Sequence, residues 1–212
     1  MRQFGSQLVP VVVIDNAQDA NPLADALVAG GLPVAEITLR TPASLEAIRA
    51  LAHREDILVG AGTVLGAAQL EGALAAGARF AVSPGFTPAL LQRAAELHAW
   101  LIPGATTAAE VQQLLEWGLD LIKFFPAATA GGPGAIKALA APFRQARFIP
   151  TGGVNADNLA EYLSLPSVSQ VGGSWMVPRS AIAAGDFDGI QTLVRQAVAL
   201  ADQIVGAAGG TQ

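Results

Sequence analysis

The sequence predicts one α/β domain over residues 1–212, a (β/α)8 TIM barrel, and three observations predict it. Short apolar runs recur along the whole chain, each followed by a helix-like segment, with a repeat of about 20 to 30 residues. Eight such repeats can be counted, and eight favours closure of a parallel sheet covered by helices. The rival, an open doubly wound sheet, wants a glycine-rich turn after its first strand, and Val13-Ile14-Asp15-Asn16-Ala17 has none.

The elements follow in order. Residues 8–14 form an apolar first strand, and a helix over 20–29 stops at Gly30-Gly31. The second strand spans 34–40. Thr41-Pro42 opens a helix to Leu51, with proline in the first turn where its missing N–H does no harm. A third strand over 57–64 precedes a helix over 67–76 that ends at Gly77. A fourth over 80–83 leads to Thr87-Pro88 and a helix to His98. The fifth strand is 101–105, and Thr107 caps a helix over 108–117 that stops at Gly118. The sixth is Leu121-Ile122-Lys123-Phe124-Phe125-Pro126-Ala127, and Gly131 to Gly134 then lead into a helix ending before Pro142. The seventh is 147–151, with Asn155 capping a helix over 156–163. The eighth is 170–175, and a last helix runs over 189–205.

Of the 212 residues 52% are hydrophobic and 14% charged, enough for a sizeable core. A net charge of −5 argues against a general nucleic-acid or anionic-membrane partner. There is no cysteine, so disulfides and thiolate metal sites are excluded. Both histidines, His53 and His98, fall near helix ends and read as surface residues, which leaves no zinc set. Trp100 and Trp117 read as packing residues, and Lys137 as a solvent-facing one. The run over 8–14 lacks a cleavage site, and no stretch approaches the ~20 apolar residues of a membrane span. A cytoplasmic protein is expected.

Four charges fall inside the expected strands: Glu36, Arg40, Lys123 and Arg147. Arg147 opens its strand and reads as a solvated end. The other three lie mid-strand or toward the C-terminal end, where barrel active sites form. Alternation puts Glu36, Thr38 and Arg40 on one face and the apolar Ala35, Ile37 and Leu39 on the other, so the polar face is the inner one. Lys123 is one of only two lysines, yet it sits in an apolar strand. A lysine that snorkels to water from an edge strand, and a Glu–Arg ion pair serving structure alone, are the plain alternatives.

The chemistry that wants a lysine, a carboxylate and a guanidinium together is a Schiff base on a 2-oxo acid. A free lysine is neutral in only about one molecule in a few thousand at pH 7. A dry pocket and a neighbouring cation such as Arg40 favour the neutral amine. That amine attacks a ketone, and the resulting iminium is an electron sink. Glu36 would then shuttle protons, Arg40 grip a substrate carboxylate, and Phe125, on the face of Lys123, exclude water. Thr151-Gly152-Gly153 and Gly172-Gly173-Ser174 follow strands seven and eight, the habitual phosphate site of this fold, with bare backbone and hydroxyl donors.

Seven segments in this order carry a resemblance over nearly the whole chain. They are Glu36-Ile37-Thr38-Leu39-Arg40-Thr41, Val59-Gly60-Ala61-Gly62-Thr63-Val64, Ser83-Pro84-Gly85, Ile102-Pro103-Gly104, Lys123-Phe124-Phe125-Pro126-Ala127, Pro150-Thr151-Gly152-Gly153 and Gly172-Gly173-Ser174-Trp175. Together they resemble the 2-keto-3-deoxy-6-phosphogluconate (KDPG) / 4-hydroxy-2-oxoglutarate (KHG) aldolase family, the class I pyruvate aldolases. The resemblance implies that Lys123 is the Schiff-base lysine and Glu36 the general acid/base. It implies that Arg40 and Thr63 bind the pyruvate part, Pro84 lines that pocket, and Gly152, Gly153 and Ser174 hold a phosphate tail. It further implies a homotrimer that uses no metal or other cofactor. The expected reaction is cleavage of KDPG to pyruvate and glyceraldehyde 3-phosphate. KHG cleavage and oxaloacetate decarboxylation are the enzymatic alternatives, and a non-catalytic sugar-acid phosphate binder is the alternative of another class.

Overall fold

The computed structural model describes residues 4–209. Its strands are β1 (Leu8–Val12), β2 (Val34–Thr38), β3 (Leu58–Gly62), β4 (Ala81–Val82), β5 (Leu101–Ile102), β6 (Leu121–Phe124), β7 (Arg147–Pro150) and β8 (Val171–Gly173). They alternate with helices α1 (Ala20–Ala29), α2 (Ser44–Leu51), α3 (Ala67–Ala75), α4 (Pro88–Glu96), α5 (Ala108–Glu116), α6 (Gly132–Ala140) and α7 (Leu159–Leu163). After β8 come α8 (Arg179–Ala184) and the long α9 (Phe187–Gly209). No helix of the described residues is long and apolar enough to cross a membrane.

The strands are parallel, and β1 and β2 are buried along their whole length, as expected for strands covered on both faces. Six of them form one curled sheet in the order β5-β4-β3-β2-β1-β8, a half-barrel, while β6 and β7 pair separately. This departs from the expected single eight-stranded ladder. Prolines explain the interruptions, because Pro103 after β5 and Pro150 ending β7 have no N–H to donate at the two seams. Isolated bridges cross both gaps all the same. At one seam Lys123 N–H donates to Pro103 O (2.8 Å) and Ala105 N–H to Lys123 O (2.9 Å); at the other Thr151 bridges Gly172, and Phe148 bridges Val168 just ahead of β8.

The end of the sheet at the N-terminal strand ends is filled by aromatic rings. Phe4, Phe80 and Trp100 meet with centroid separations of 4.9 to 5.6 Å. Gly60 makes room for them, since a Cβ there would lie 2.4 Å from the Phe80 ring. Trp100 is thus the packing residue expected. Trp117 is not: it caps α5 and is 48% exposed.

Helix starts follow the local chemistry. Thr87 Oγ1 accepts from Leu90 N (3.1 Å) with Pro88 in the first turn. At α5 a reciprocal capping box forms: Glu110 N–H donates to Thr107 Oγ1, and the Glu110 carboxylate accepts from the backbone of Thr107 (2.9 Å). Burial pushes the Glu110 carboxyl up, but hydrogen bonds from Thr106 N, Thr107 Oγ1 and Thr107 N outweigh it and hold the group below its ordinary value. Its stabilising contribution is therefore complete above the ordinary carboxylate range and is lost as pH falls through the lowered folded value. Thr107→Ala costs about 1 kcal/mol in urea unfolding at neutral pH, and the gap to wild type narrows once Glu110 is protonated in both states.

Several boundaries differ from expectation. The second strand stops at Thr38, because Arg40 N–H folds back onto Thr38 O (2.8 Å) and Thr41 begins a hydroxyl clip. Thr41 Oγ1 donates to Ile14 O (2.5 Å), and Ser44 Oγ donates to Thr38 O (2.7 Å). Arg40 therefore projects from a rim turn rather than from the strand. Asn155 caps a turn, accepting from Asp157 N (2.9 Å) and Asn158 N (3.3 Å), and α7 begins only at Leu159. The short α8 was not expected at all; six residues ending at Gly185 leave little periodicity to read.

Candidate active site

Lys123 from β6 and Glu36 from β2 meet inside the curled sheet although 87 residues separate them. Lys123 Nζ donates to Glu36 Oε1 at 3.1 Å, and the two side chains are 6% and 3% exposed. The neighbouring strand makes the pairing possible. Gly62 on β3 leaves open the space that Glu36 fills, since a Cβ at Gly62 would lie 2.3 Å from Oε1. The Phe125 ring, just beyond β6, covers the amine with its centroid 5.4 Å from Nζ. Breaking a buried ion pair is costly, so the fold commits both groups to this position. Moving one proton along the 3.1 Å hydrogen bond converts ammonium and carboxylate into amine and carboxylic acid. A sealed pair can thus present a nucleophile without transferring net charge to water.

Arg40 is brought to Thr63 rather than into the strand face. Its Nε donates to Thr63 Oγ1 at 3.3 Å, and its side chain is exposed at the rim. Thr63 adopts φ 58°, an uncommon conformation for a β-branched residue, immediately after β3. Guanidinium and hydroxyl together offer several N–H and O–H donors at one edge, which suits a carboxylate. Pro84 is half-buried in the loop after β4, with its carbonyl pressed on Gly104, where a Cβ would stand 2.2 Å away.

On the other side of the rim, Gly152 and Gly153 both have left-handed φ, 94° and 79°. Neighbouring loops hold this turn. Ala127 N donates to Thr151 O (2.8 Å), Ala128 N to Gly152 O (3.0 Å) and Asn158 Nδ2 to Gly153 O (2.9 Å). A Cβ at Gly153 would lie 2.5 Å from that of Ala128, so the turn demands glycine for space as well as for φ. Thr151 is buried, and its hydroxyl fits because Gly172 opposite has no side chain. Gly173 lies under the Trp175 ring, and Ser174 stands exposed at the end of β8. Bare backbone and a hydroxyl here make a concave, donor-rich surface for an anion.

The structure thus gathers the sequence-expected residues into three groups: Lys123 and Glu36 inside the sheet with Phe125 just beyond; Arg40 and Thr63 past the C-terminal ends of β2 and β3; and Thr151, Gly152, Gly153, Gly173 and Ser174 at those of β7 and β8. His53 and His98 are exposed and lie in none of them, and Lys137 faces solvent. Sequence reasoning missed three supports: Gly62 beneath the carboxylate, Asn158 behind Gly153, and the Thr41–Ser44 clip behind Arg40. The Asn-x-x-Asn spacing was the one available signal for Asn158. A cavity of about 590 Å³ opens elsewhere, lined by Ser6, Gln7, Ser169 and Gln170 among others, and contains none of these groups.

A family model described as KDPG and KHG aldolase matches residues 2–193. The chain is 50% identical over 193 residues to 2-dehydro-3-deoxy-phosphogluconate aldolase of Dickeya dadantii, covering 91% of each chain. It is 50% identical over 192 residues to KHG/KDPG aldolase of Escherichia coli, covering 90% of each. A KDPG aldolase structure from Legionella pneumophila, with pyruvate captured at low pH as a covalent carbinolamine intermediate, superposes with a TM-score of 0.90 at 45% identity. That match covers 92% of this chain and 95% of the other. The Zymomonas mobilis ZM4 aldolase with 3-phosphoglycerate gives a TM-score of 0.87 at 47% identity, covering 93% of both.

Proposed function

The chain belongs to the KDPG and KHG aldolase family, and on that premise we propose that it reversibly cleaves 2-dehydro-3-deoxy-6-phosphogluconate to pyruvate and glyceraldehyde 3-phosphate through a Schiff base on Lys123. It is a lyase of the class I type. The observation that carries the residue assignment is the sealed Lys123–Glu36 contact at 3.1 Å.

Glu36 takes a proton from the Lys123 ammonium, and the freed amine attacks the C2 ketone to give a carbinolamine. Glu36 returns the proton to the departing hydroxyl, water leaves, and an iminium remains. Arg40 and Thr63 hold the C1 carboxylate at the rim during these steps. Glu36, again a carboxylate, removes the proton of the C4 hydroxyl. The C3–C4 bond breaks, its electron pair passes into the iminium to form an enamine, and the aldehyde departs. Protonation of the enamine at C3 and addition of water release pyruvate and restore the lysine. Phe125 keeps bulk water from the iminium until that last step. Thr151, Gly152, Gly153, Gly173 and Ser174 take the phosphate, and Pro84 closes the pyruvate side.

Phosphate-suited glycines in both terminal loops favour the phosphorylated substrate over KHG. The ratio of kcat/KM for KDPG and KHG tests this: a ratio well above one supports the reading, and equal values refute it. Gly62→Ala places a methyl group where the Glu36 carboxylate lies. Because ångström-scale misplacement can cost about 100-fold, we expect a kcat loss of that order, together with a lowered thermal unfolding midpoint, since the methyl group crowds a buried ion pair.

We read the strands, joined across both seams by isolated bridges, as a full (β/α)8 barrel. A homotrimer fits the exposed Trp117 and Leu97, which offer apolar surface to a second subunit. A cytoplasmic location fits the acidic, cysteine-free chain.

A further inference from the structure

Asp15, beyond the end of β1, and Arg179, the first residue of α8, form a two-point ion pair. Nε donates to Oδ2 at 2.7 Å and Nη2 to Oδ1 at 2.6 Å. Because β1 and β8 are adjacent in the sheet, the pair joins the loops of neighbouring strands at the C-terminal rim. Both side chains are well exposed, 62% for Arg179 and 44% for Asp15. The hydrogen bonds from Arg179, partly opposed by desolvation and aided by its charge, hold the Asp15 carboxyl below its ordinary value. Arg179 opens the helix at the far end of the loop that carries Ser174, five positions earlier. The groups assigned above to the phosphate, Thr151, Gly152, Gly153, Gly173 and Ser174, bring no formal charge of their own. The carboxylate of Asp15 therefore stands on a rim that must accept a dianion.

We infer that Arg179 sustains affinity for the phosphorylated tail by cancelling the Asp15 carboxylate, which would otherwise repel it. The inference rests on the phosphate reading given above. A surface pair of this kind adds little to stability, so its weight falls on the ligand. One or two strand spacings separate the two loops, roughly 5–10 Å. At ~10 Å in water a unit charge changes the affinity of a dianion about fourfold. Salt near 0.15 M removes most of that, the Debye length there being about 8 Å.

The test is KM for KDPG and for 2-keto-3-deoxygluconate, whose tail is uncharged, at low and at physiological ionic strength. Arg179→Ala leaves Asp15 unopposed and raises KM for KDPG about fourfold at low salt. Asp15→Ala frees Arg179 and lowers it by a similar factor, and the double variant returns close to wild type. None of the three shifts KM for the uncharged substrate, and kcat holds throughout. A merely structural strap would move both single variants in the same direction, for both substrates and independently of salt. That result, or no shift at all, overturns the inference. If wild type itself fails to prefer KDPG over 2-keto-3-deoxygluconate, the phosphate reading has failed first. A wild-type preference with no opposed shifts condemns this inference alone.

Discussion

Lys123→Ala reduces KDPG cleavage to the uncatalysed background, a loss of at least about 10⁴-fold in kcat/KM. No other lysine is near: Lys137, the only other one in the chain, lies on α6 facing solvent. Removing the ammonium also strands the Glu36 carboxylate, 2% exposed, without its partner. Such orphaned charges cost about 3–5 kcal/mol in stability unless the group takes up a proton. Lost activity in this variant could then be blamed on unfolding. Lys123→Arg removes that ambiguity, since it keeps a cation against Glu36 but cannot form an iminium. We expect Lys123→Arg to remain folded by circular dichroism and to be as inactive as Lys123→Ala. Turnover within tenfold of wild type in either would remove the lysine from the mechanism.

Glu36→Gln has the second largest expected effect, a fall in kcat of about 10²–10⁴-fold, the range for loss of a positioned acid/base. The amide is nearly the size of the carboxylate, so the space beside Gly62 is filled in the same way and the fold is retained. Pyruvate is still expected to enter, because Arg40 and Thr63, proposed above to hold its carboxylate, are unchanged. Its covalent adduct with Lys123 forms slowly and accumulates on long incubation, while C3–C4 cleavage stays slow. KM for KDPG therefore changes much less than kcat. A Glu36→Gln enzyme with near-normal kcat would show that another group moves the protons.

The elements that set this site differ in how plainly they are written in the chain. The strand carrying Lys123 is apolar around one charge, and burial of a charge is a signal that survives without coordinates. The inward face of β2 was legible for Glu36 by alternation alone, and Thr87-Pro88 and Thr107 announce their helices by capping chemistry. Arg40 shows the limit of that reasoning. Alternation would carry it inward with Glu36, yet the chain leaves the strand at Thr38, because the Ser44 hydroxyl and the Arg40 N–H take the carbonyl that ends it. The breaks in the sheet were equally hidden, since proline's missing donor matters only when the neighbouring strand is known. Asp15 and Arg179 are 164 residues apart, and nothing in either's surroundings names the other. Trp117 reads as core by residue type, and only the coordinates show it facing outward.

All of the proposed chemistry passes through one covalent bond between Lys123 Nζ and the ketone carbon of a 2-oxo acid. Borohydride reduction in the presence of pyruvate, followed by peptide mass spectrometry, reads that bond directly. The account predicts a reduced pyruvyl adduct on the peptide containing Lys123, loss of activity in proportion to labelling, and no label in Lys123→Arg. An unlabelled wild-type protein that still cleaves KDPG, or a label on Lys137 instead, would contradict it.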